Sequence, residues 1–328
     1  SPMSRGLGDV YKRQVERGEY HFGKLNIFCA SPLGLLQKRY QFSENKMVAV
    51  YPSFIQMRQY ELMAISNRLK EFGLKKIRRI GHSMEFEQIR NYNIGDDYRT
   101  LNWKATARKG ELMVNQFQDE KSQQIYSLID KGRVMKMPFE EMTLLDYAIN
   151  ASLVISNIAI KKGDKSGLLT FSKTVEQHLP AYKRGSQMRK LQEMLYQQTT
   201  DFLESDYERL YAHVRRTITQ RSLLLLFTNF ETLSGLNRQI DYLRQLNKRH
   251  LLVVIFFENT ELKQLIEGKA TEAKAIYQKT IAEKLAFEKR QIVKELQRHS
   301  IQSILTAPQN LTINTINKYL ELKARGFI

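Results

Sequence analysis

Strands covered on both faces show as short unbroken apolar runs, and surface helices show as apolar positions three and four apart. After Gln124 the chain alternates between these two patterns. Apolar runs at Ile125–Asp130, Gly167–Phe171, Ser222–Thr228, Leu251–Phe257 and Ile301–Leu305 predict strands. Amphipathic stretches near Thr143–Lys161, Ser186–Gln198, Ser205–Thr219, Ser234–Lys248, Glu261–Arg298 and Leu311–Arg325 predict helices, the fifth broken near Gly268. Such alternation predicts an α/β fold with a doubly wound, mainly parallel sheet over residues 123–328. No internal repeat is visible.

The chain before Gln124 is patterned differently. Tyr20, Phe22, Leu25, Ile27 and Phe28 form an aromatic and β-branched run, Ser31-Pro32-Leu33-Gly34 is a turn signal, and Met47–Tyr51 is a second strand ended by Pro52. Two or three strands do not make a stable sheet alone. Residues 15–53 are therefore expected to be the C-terminal remnant of a larger β domain. Helical spacing from Phe54 to Phe72, closed by Gly73, predicts a connecting helix within residues 54–76. Residues 77–122 are polar and dense in motifs, with little periodicity. The opening SPMSRGLGDVYKRQ has no hydrophobic period and joins the rest abruptly; GLGDVYKRQ looks like translated sequencing-adapter read-through. Residues 1–14 are thus expected to be an artefact without ordered structure, with the natural N-terminus further upstream.

Composition narrows the class. Of 328 residues, 42% are apolar and 26% charged, as in a soluble globular protein, and 16 Gly with 6 Pro exclude collagen-like and low-complexity chains. A single cysteine, Cys29, excludes a disulfide framework and any multi-cysteine metal site, and suits a small buried apolar residue. Net charge is +18, which favours anionic partners such as nucleic acid, anionic lipid or an acidic protein. The basic residues are scattered, so a generally basic solvated surface explains the charge ahead of nucleic-acid binding. The longest apolar runs, Leu223–Phe227 and Leu251–Phe257, fall far short of the ~20 residues of a membrane span.

Candidate chemistry begins at the strand ends, where open α/β sheets carry their sites. The first strand closes with Asp130, and the third predicted strand brings Thr228 and Asn229 to a parallel position. An acid closing the first strand, followed by small residues and a long helix, resembles the von Willebrand factor A fold. That resemblance implies a Mg²⁺ site built from Asp-x-Ser-x-Ser, a Thr and a later Asp, all oxygen donors for a hard cation. Here Asp130 matches the first acid, Gly132 and Val134 stand where the serines should be, Asn229 stands where the later Asp should be, and Ser186 is the candidate substitute for the Thr. The expectation is a degenerate site: no cofactor, Mg²⁺ included.

The densest segment is GHSMEFEQIRNYNIGDDYRTLNWKATAR, Gly81 to Arg108. Glu85-Phe86, Arg90-x-Tyr92, Gly95-Asp96-Asp97-x-Arg99, Asn102-Trp103-Lys104 and Ala107-Arg108 follow in order. This strongly resembles the signature of the domain of unknown function 58 family, in which it precedes a von Willebrand A-like domain. Arg17–Tyr20 and Ser31–Leu35 also resemble the β domain before the signature in longer members, so the resemblance covers roughly everything after Gln14. It implies a bacterial, non-enzymatic interaction protein that assists a MoxR-type AAA+ ATPase in maturing or assembling other proteins. It also implies N-terminal membrane helices in longer members, hence an anchored protein with this part at the cytoplasmic face. Physically, the acids Glu85, Glu87, Asp96 and Asp97 lie within reach of Arg90, Arg99, Lys104 and Arg108, and a closed set of such pairs would pin the segment. Trp103, the only tryptophan, is a large apolar anchor with one N–H to satisfy. A folding clamp and a partner-docking surface both remain open.

Catalytic signals are weak. None of His21, His82, His178, His213, His250 and His299 stands in a metalloprotease spacing, and His82 beside Asp96 and Asp97 is a poor acid–base candidate. Phosphate-binding glycine loops and the nucleophile elbow are missing from the sequence. Lys161-Lys162-Gly163-Asp164 reads as a helix C-cap. The long helix Glu261–Arg298 carries an ordinary amphipathic packing face. Two alternatives to the interaction module stay open: a basic nucleic-acid-binding protein, and a divalent-metal-dependent enzyme or adhesion domain using Asp130.

Overall fold

The structure is a computed structural model that describes residues 17–30, 37–42, 46–52, 85–94, 96–118, 122–139, 142–200, 203–260, 262, 266 and 273–327. The expected artefact at 1–14, the connecting helix at 54–76 and the break near Gly268 lie outside the described residues.

The core is a six-stranded sheet of β7 (Gln124–Asp130), β10 (Lys165–Phe171), β11 (Val175–Tyr182), β12 (Leu223–Phe227), β13 (Leu251–Phe257) and β14 (Gln302–Thr306). Its order is β11-β10-β7-β12-β13-β14. All neighbours are parallel except the edge pair β10 and β11. Counted within the sheet, this is the 3-2-1-4-5-6 order of a doubly wound fold. Three helices cover one face: α2 (Leu144–Lys161), α3 (Ser186–Leu195) and α7 (Leu311–Ala324). The other face is covered by α4 (Tyr207–Thr217), α5 (Leu233–Arg249) and α6 (Ala273–Arg298). Successive strand residues point to opposite faces, so Leu223, Leu225 and Phe227 join one core while Leu224 and Leu226 join the other. This is why the strands read as unbroken apolar runs.

Short strands β8 (Pro138–Phe139) and β9 (Met142–Thr143) pair antiparallel ahead of helix α2, which begins with a capping box in which Thr143 and Asp146 satisfy each other's backbone N–H groups. By length and composition alone α2 could cross a membrane, but 72% of its apolar window is buried inside the domain. It is the central core helix of this fold. At the other edge, Gly167 lets the Tyr126 ring lie across β10; any Cβ there would also stand 2.9 Å from the Leu179 carbonyl.

Several boundaries differ from the sequence expectation. Strand β10 starts at Lys165, α3 stops at Leu195, and α4 starts at Tyr207 because Asp206 caps it. Strand β11 is an addition: its residues are mostly half-buried or exposed, Ala181 alone is buried, and polar residues and Pro180 break any apolar run. The described residues between 17 and 52 hold four strands in two separate pairs, β1 (Gly18–Phe22) with β4 (Lys46–Val50) and β2 (Leu25–Ala30) with β3 (Gln37–Phe42). Cys29, on β2, is exposed rather than buried. The motif-dense stretch is also ordered: β5 (Glu85–Asn91) pairs antiparallel with β6 (Met113–Gln118), and a short helix α1 (Trp103–Lys109) lies between them.

Candidate functional site

Strands β7 and β12 are adjacent at the centre of the sheet, and the chain winds outward from them in opposite directions. Their C-terminal ends therefore open a crevice. A cavity of about 150 Å³ lies there, with Asp130, Arg133, Ser205, Thr228 and Arg238 in its wall. A wider, more open groove of about 550 Å³ continues from it past Lys173, Glu204, Glu208 and Tyr242.

Asp130 is 1% exposed. Its Oδ1 accepts the backbone N–H of Gly132 at 2.8 Å and the hydroxyl of Ser205. Its Oδ2 accepts the Thr228 hydroxyl at 2.7 Å and, at 3.3 Å, the phenol of Tyr207, which also bonds the Thr228 oxygen at 2.7 Å. Burial raises the carboxyl's pKa, and the hydrogen bonds only partly offset it. Burial and the Asp130 charge together push the Tyr207 phenol well up. Phe171 and Phe230 pack on the Tyr207 ring at centroid distances of 5.5 and 5.8 Å. Next to Thr228, the side-chain amide oxygen Oδ1 of Asn229 accepts from Lys289 Nζ at 2.6 Å. Lys289 reaches in from α6, and burial lowers its pKa to about 8. No group of three or more His, Cys, Asp and Glu side chains able to hold a metal is present among the described residues.

The β5–β6 pair carries a second constellation. The Arg90 guanidinium grips Asp96 with two parallel bonds, 2.7 and 2.6 Å, and Asp96 also accepts the Asn93 N–H at 2.8 Å. Asp97 accepts the Arg99 N–H at 3.0 Å and starts a 3₁₀ turn over Tyr98–Thr100. Asn102 caps α1 by accepting from Ala105 at 3.0 Å, while its amide donates to Asn115 on β6 at 2.7 Å. Gly110 closes α1 in the left-handed conformation, φ +76°. The Tyr92 N–H donates to the Leu112 carbonyl at 2.8 Å. These bonds hold the segment's backbone and leave one side of it bare. Tyr98 is 71% and Trp103 68% exposed. Arg99, Lys104, Ala107 and Arg108 are exposed as well. In a helix, residues four apart are neighbours, so Trp103 lines up with Ala107 and Lys104 with Arg108. The Arg99 guanidinium lies 5.8 Å from the Tyr98 ring centroid. An apolar row thus runs beside a cationic row.

The sequence family described as Protein of unknown function DUF58 matches residues 88–275. The chain belongs to this family. Uncharacterized protein YeaD of Bacillus subtilis (strain 168) is 32% identical over 162 residues, 49% of this chain and 38% of that protein. The chain therefore spans well under half the length of this curated relative. Among solved structures, the VWA domain of SpRpn10 aligns with a TM-score of 0.34 and 13% identity, over 58% of this chain and 92% of that one. The conserved hypothetical protein BatB from Bacteroides thetaiotaomicron aligns with a TM-score of 0.36 and 8% identity, over 62% and 100%. The six-stranded, mainly parallel sheet with an acid closing its first strand is a von Willebrand A-like fold.

The DUF58 signature and the strand-end acid are separate constellations. Of the expected Arg–carboxylate set, one pair forms among the described side chains, Arg90 with Asp96. Asp97 serves as a turn cap, and Arg99, Lys104 and Arg108 stand in solvent. Glu85 pairs through its backbone with Gln118; its side chain and Gly95 lie outside the described residues. Ser186 opens α3, and the hydroxyl that meets Asp130 from a neighbouring loop is that of Ser205. Ser205, Tyr207 and Lys289 are what the sequence reading misses. Their one local signal is the Ser205-Asp206 pair, a helix-start pattern beyond an edge strand.

Proposed function

We propose that this DUF58 chain is a non-enzymatic protein-interaction module that docks a MoxR-type AAA+ ATPase through the signature stripe. In this reading it acts in the assembly or maturation of other proteins, at the cytoplasmic face of a membrane to which the longer protein is anchored. The observation that carries it is the stripe itself: Tyr98 and Trp103 exposed beside Arg99, Lys104 and Arg108, on a backbone fixed by Asp96, Asp97 and Asn102. Large exposed aromatics cost solvation unless something covers them, and aromatic and Arg residues are the usual anchors of protein interfaces. Three cations beside apolar side chains suit a partner segment that places carboxylates around an apolar residue. Asp96, Asp97 and Glu111 interrupt the positive potential, which suits a protein partner better than a phosphate backbone. A structural role for Asp130 is supported by the protein donors that surround it. The net charge of +18 suits a position beside anionic lipid.

The test is binding of the purified chain to a purified MoxR-type ATPase from the same organism. Reversing both Arg99→Glu and Arg108→Glu is expected to weaken the complex at least about tenfold, a loss near 1.4 kcal/mol. Unchanged affinity of well-folded variants, or no complex with the native chain, removes the reading.

A further inference from the structure

A von Willebrand A-like fold implies a divalent cation at the acid closing the first strand, and the residues of this chain do not fit one. A carboxylate offers about four lone-pair directions. Gly132 N–H, Ser205 and Thr228 donate to Asp130, and the single Tyr207 hydrogen is shared between the Thr228 oxygen at 2.7 Å and Oδ2 at 3.3 Å, so a cation would have to displace protein donors. Position 132 closes the site a second way. Resemblance to the fold family places a hydroxyl ligand there, but a Cβ on Gly132 would run into the Ser205 oxygen and come within 3.1 Å of both Asp130 Oδ1 and the Leu203 carbonyl. A serine at 132 and the Ser205–Asp130 bond exclude each other. Asn229 closes it a third way. The side chain stands where a second acid would be needed, is only 4% exposed, and accepts from the Lys289 ammonium. An ammonium so placed opposes a divalent ion, which wants oxygen ligands and compensating negative charge.

We propose that this junction is a permanent internal lock, in which Ser205, Tyr207, Thr228 and Lys289 take the places of a cation and its ligands. The lock ties the end of β7, the loop before α4, the end of β12 and the middle of α6 into one polar cluster. The C-terminal edge of the sheet then holds its shape, and makes its contacts, without divalent metal. The inference stands apart from the signature stripe and does not depend on the partner proposed for it.

The experiment uses the whole chain stripped with a chelator. Titrating Mg²⁺, Mn²⁺ and Ca²⁺ into it at millimolar concentration is expected to give no saturable heat that depends on Asp130, and no shift of the thermal midpoint. Tyr207→Phe and Thr228→Val are expected to lower that midpoint by the same amount with chelator and with Mg²⁺. Gly132→Ser is expected to lower it further, and Ser205→Gly added to Gly132→Ser to restore part of the loss. Saturable Mn²⁺ binding that disappears in Asp130→Ala, or a midpoint raised by Mg²⁺ in the native chain alone, overturns the lock. So does a Gly132→Ser chain as stable as the native one. Ion binding that survives Asp130→Ala lies elsewhere on the surface and leaves the lock standing.

Discussion

Tyr319 donates its phenolic hydrogen to Oδ2 of Asp164 at 2.5 Å, across 155 residues of chain. Lys323 Nζ reaches the same oxygen at 2.8 Å, and Oδ1 accepts the Gln123 N–H at 3.0 Å. Asp164 is 1% exposed and follows Gly163, which turns the chain out of α2 at φ +85°. One carboxylate therefore ties the end of the core helix to α7 and to the entry of β7. Removing it takes an acceptor from a lysine, a phenol and a backbone N–H. Asp164→Ala is expected to cost about 3–5 kcal/mol, as for a broken buried pair. Tyr319→Phe, which loses one hydrogen bond, is expected to cost about 1–2 kcal/mol. Urea unfolding followed by circular dichroism measures both, and a loss below about 1 kcal/mol for Asp164→Ala would show that the junction is slack.

Arg17 clamps the N-terminal strands to the α/β domain. Its Nε donates to Asp146 at 2.6 Å, and one terminal nitrogen donates to the carbonyls of Leu195 and Gln198 at 3.2 and 2.8 Å. Tyr51 packs on Tyr196 with ring centroids 5.2 Å apart, and Glu19 accepts from the Tyr196 phenol at 3.0 Å. Asp146 keeps its other oxygen for the α2 capping box. Arg17→Ala should therefore free β1 and β4 without melting α2. Hydrogen exchange is expected to speed up about tenfold or more in residues 18–22 and 46–50, from the loss of about 1.5–3 kcal/mol of charge-assisted bonding. Exchange in β7 and β12 should stay as it is; equal acceleration in all four strands would make Arg17 part of the main core.

What the sequence makes legible follows from how local the physics is. Leu251–Phe257 is buried on both faces, so its boundaries are written in the run itself and match the strand residue for residue. Strand β11 is an edge strand whose neighbour lies on one side only, so Glu176, Gln177 and His178 are tolerated and no run appears. Asp130 is legible as an acid at a strand end. Its partners are not, because Ser205 and Tyr207 lie 75 and 77 residues on and are brought in by the sheet order. Lys289 sits in a helix whose Lys and Glu residues are mostly solvated, and only the fold singles it out as the half-buried one that meets Asn229. In the signature, Asn102 and Gly110 bracket a seven-residue helix too short to leave a period, so the segment shows its caps and motifs but not its elements.

The half-buried Lys289 makes stability depend on alkaline pH. Burial lowers its pKa from 10.5 to about 8, so the folded chain gives up this proton before the unfolded chain does. Between those two values the unfolded state holds more protons, and stability rises with pH. The gain is expected to reach up to about 3 kcal/mol once the window is crossed. Lys289→Met has no proton to lose there. The difference in unfolding free energy between native chain and variant should therefore change in favour of the native chain from about pH 7 to about pH 10. Parallel pH profiles for the two proteins would mean that Lys289 titrates in solvent.

Trp103 is the only tryptophan, so fluorescence excited at the red edge of the absorption band, where tyrosine does not absorb, reports on the signature stripe alone. With the indole 68% exposed, the native protein is expected to emit close to where the urea-unfolded protein emits, and to be quenched readily by acrylamide. Trp103→Ala should change unfolding free energy by no more than about 0.5 kcal/mol, the range of surface substitutions. Adding the ATPase should shift the emission to the blue and slow the quenching, because interface anchors of this type become desolvated when bound. A folding clamp gives the opposite pattern: blue native emission, a large red shift on unfolding, and a loss of about 3–5 kcal/mol in the alanine variant. Emission and stability in these two proteins therefore separate a surface built for docking from one built for folding, before any partner is added.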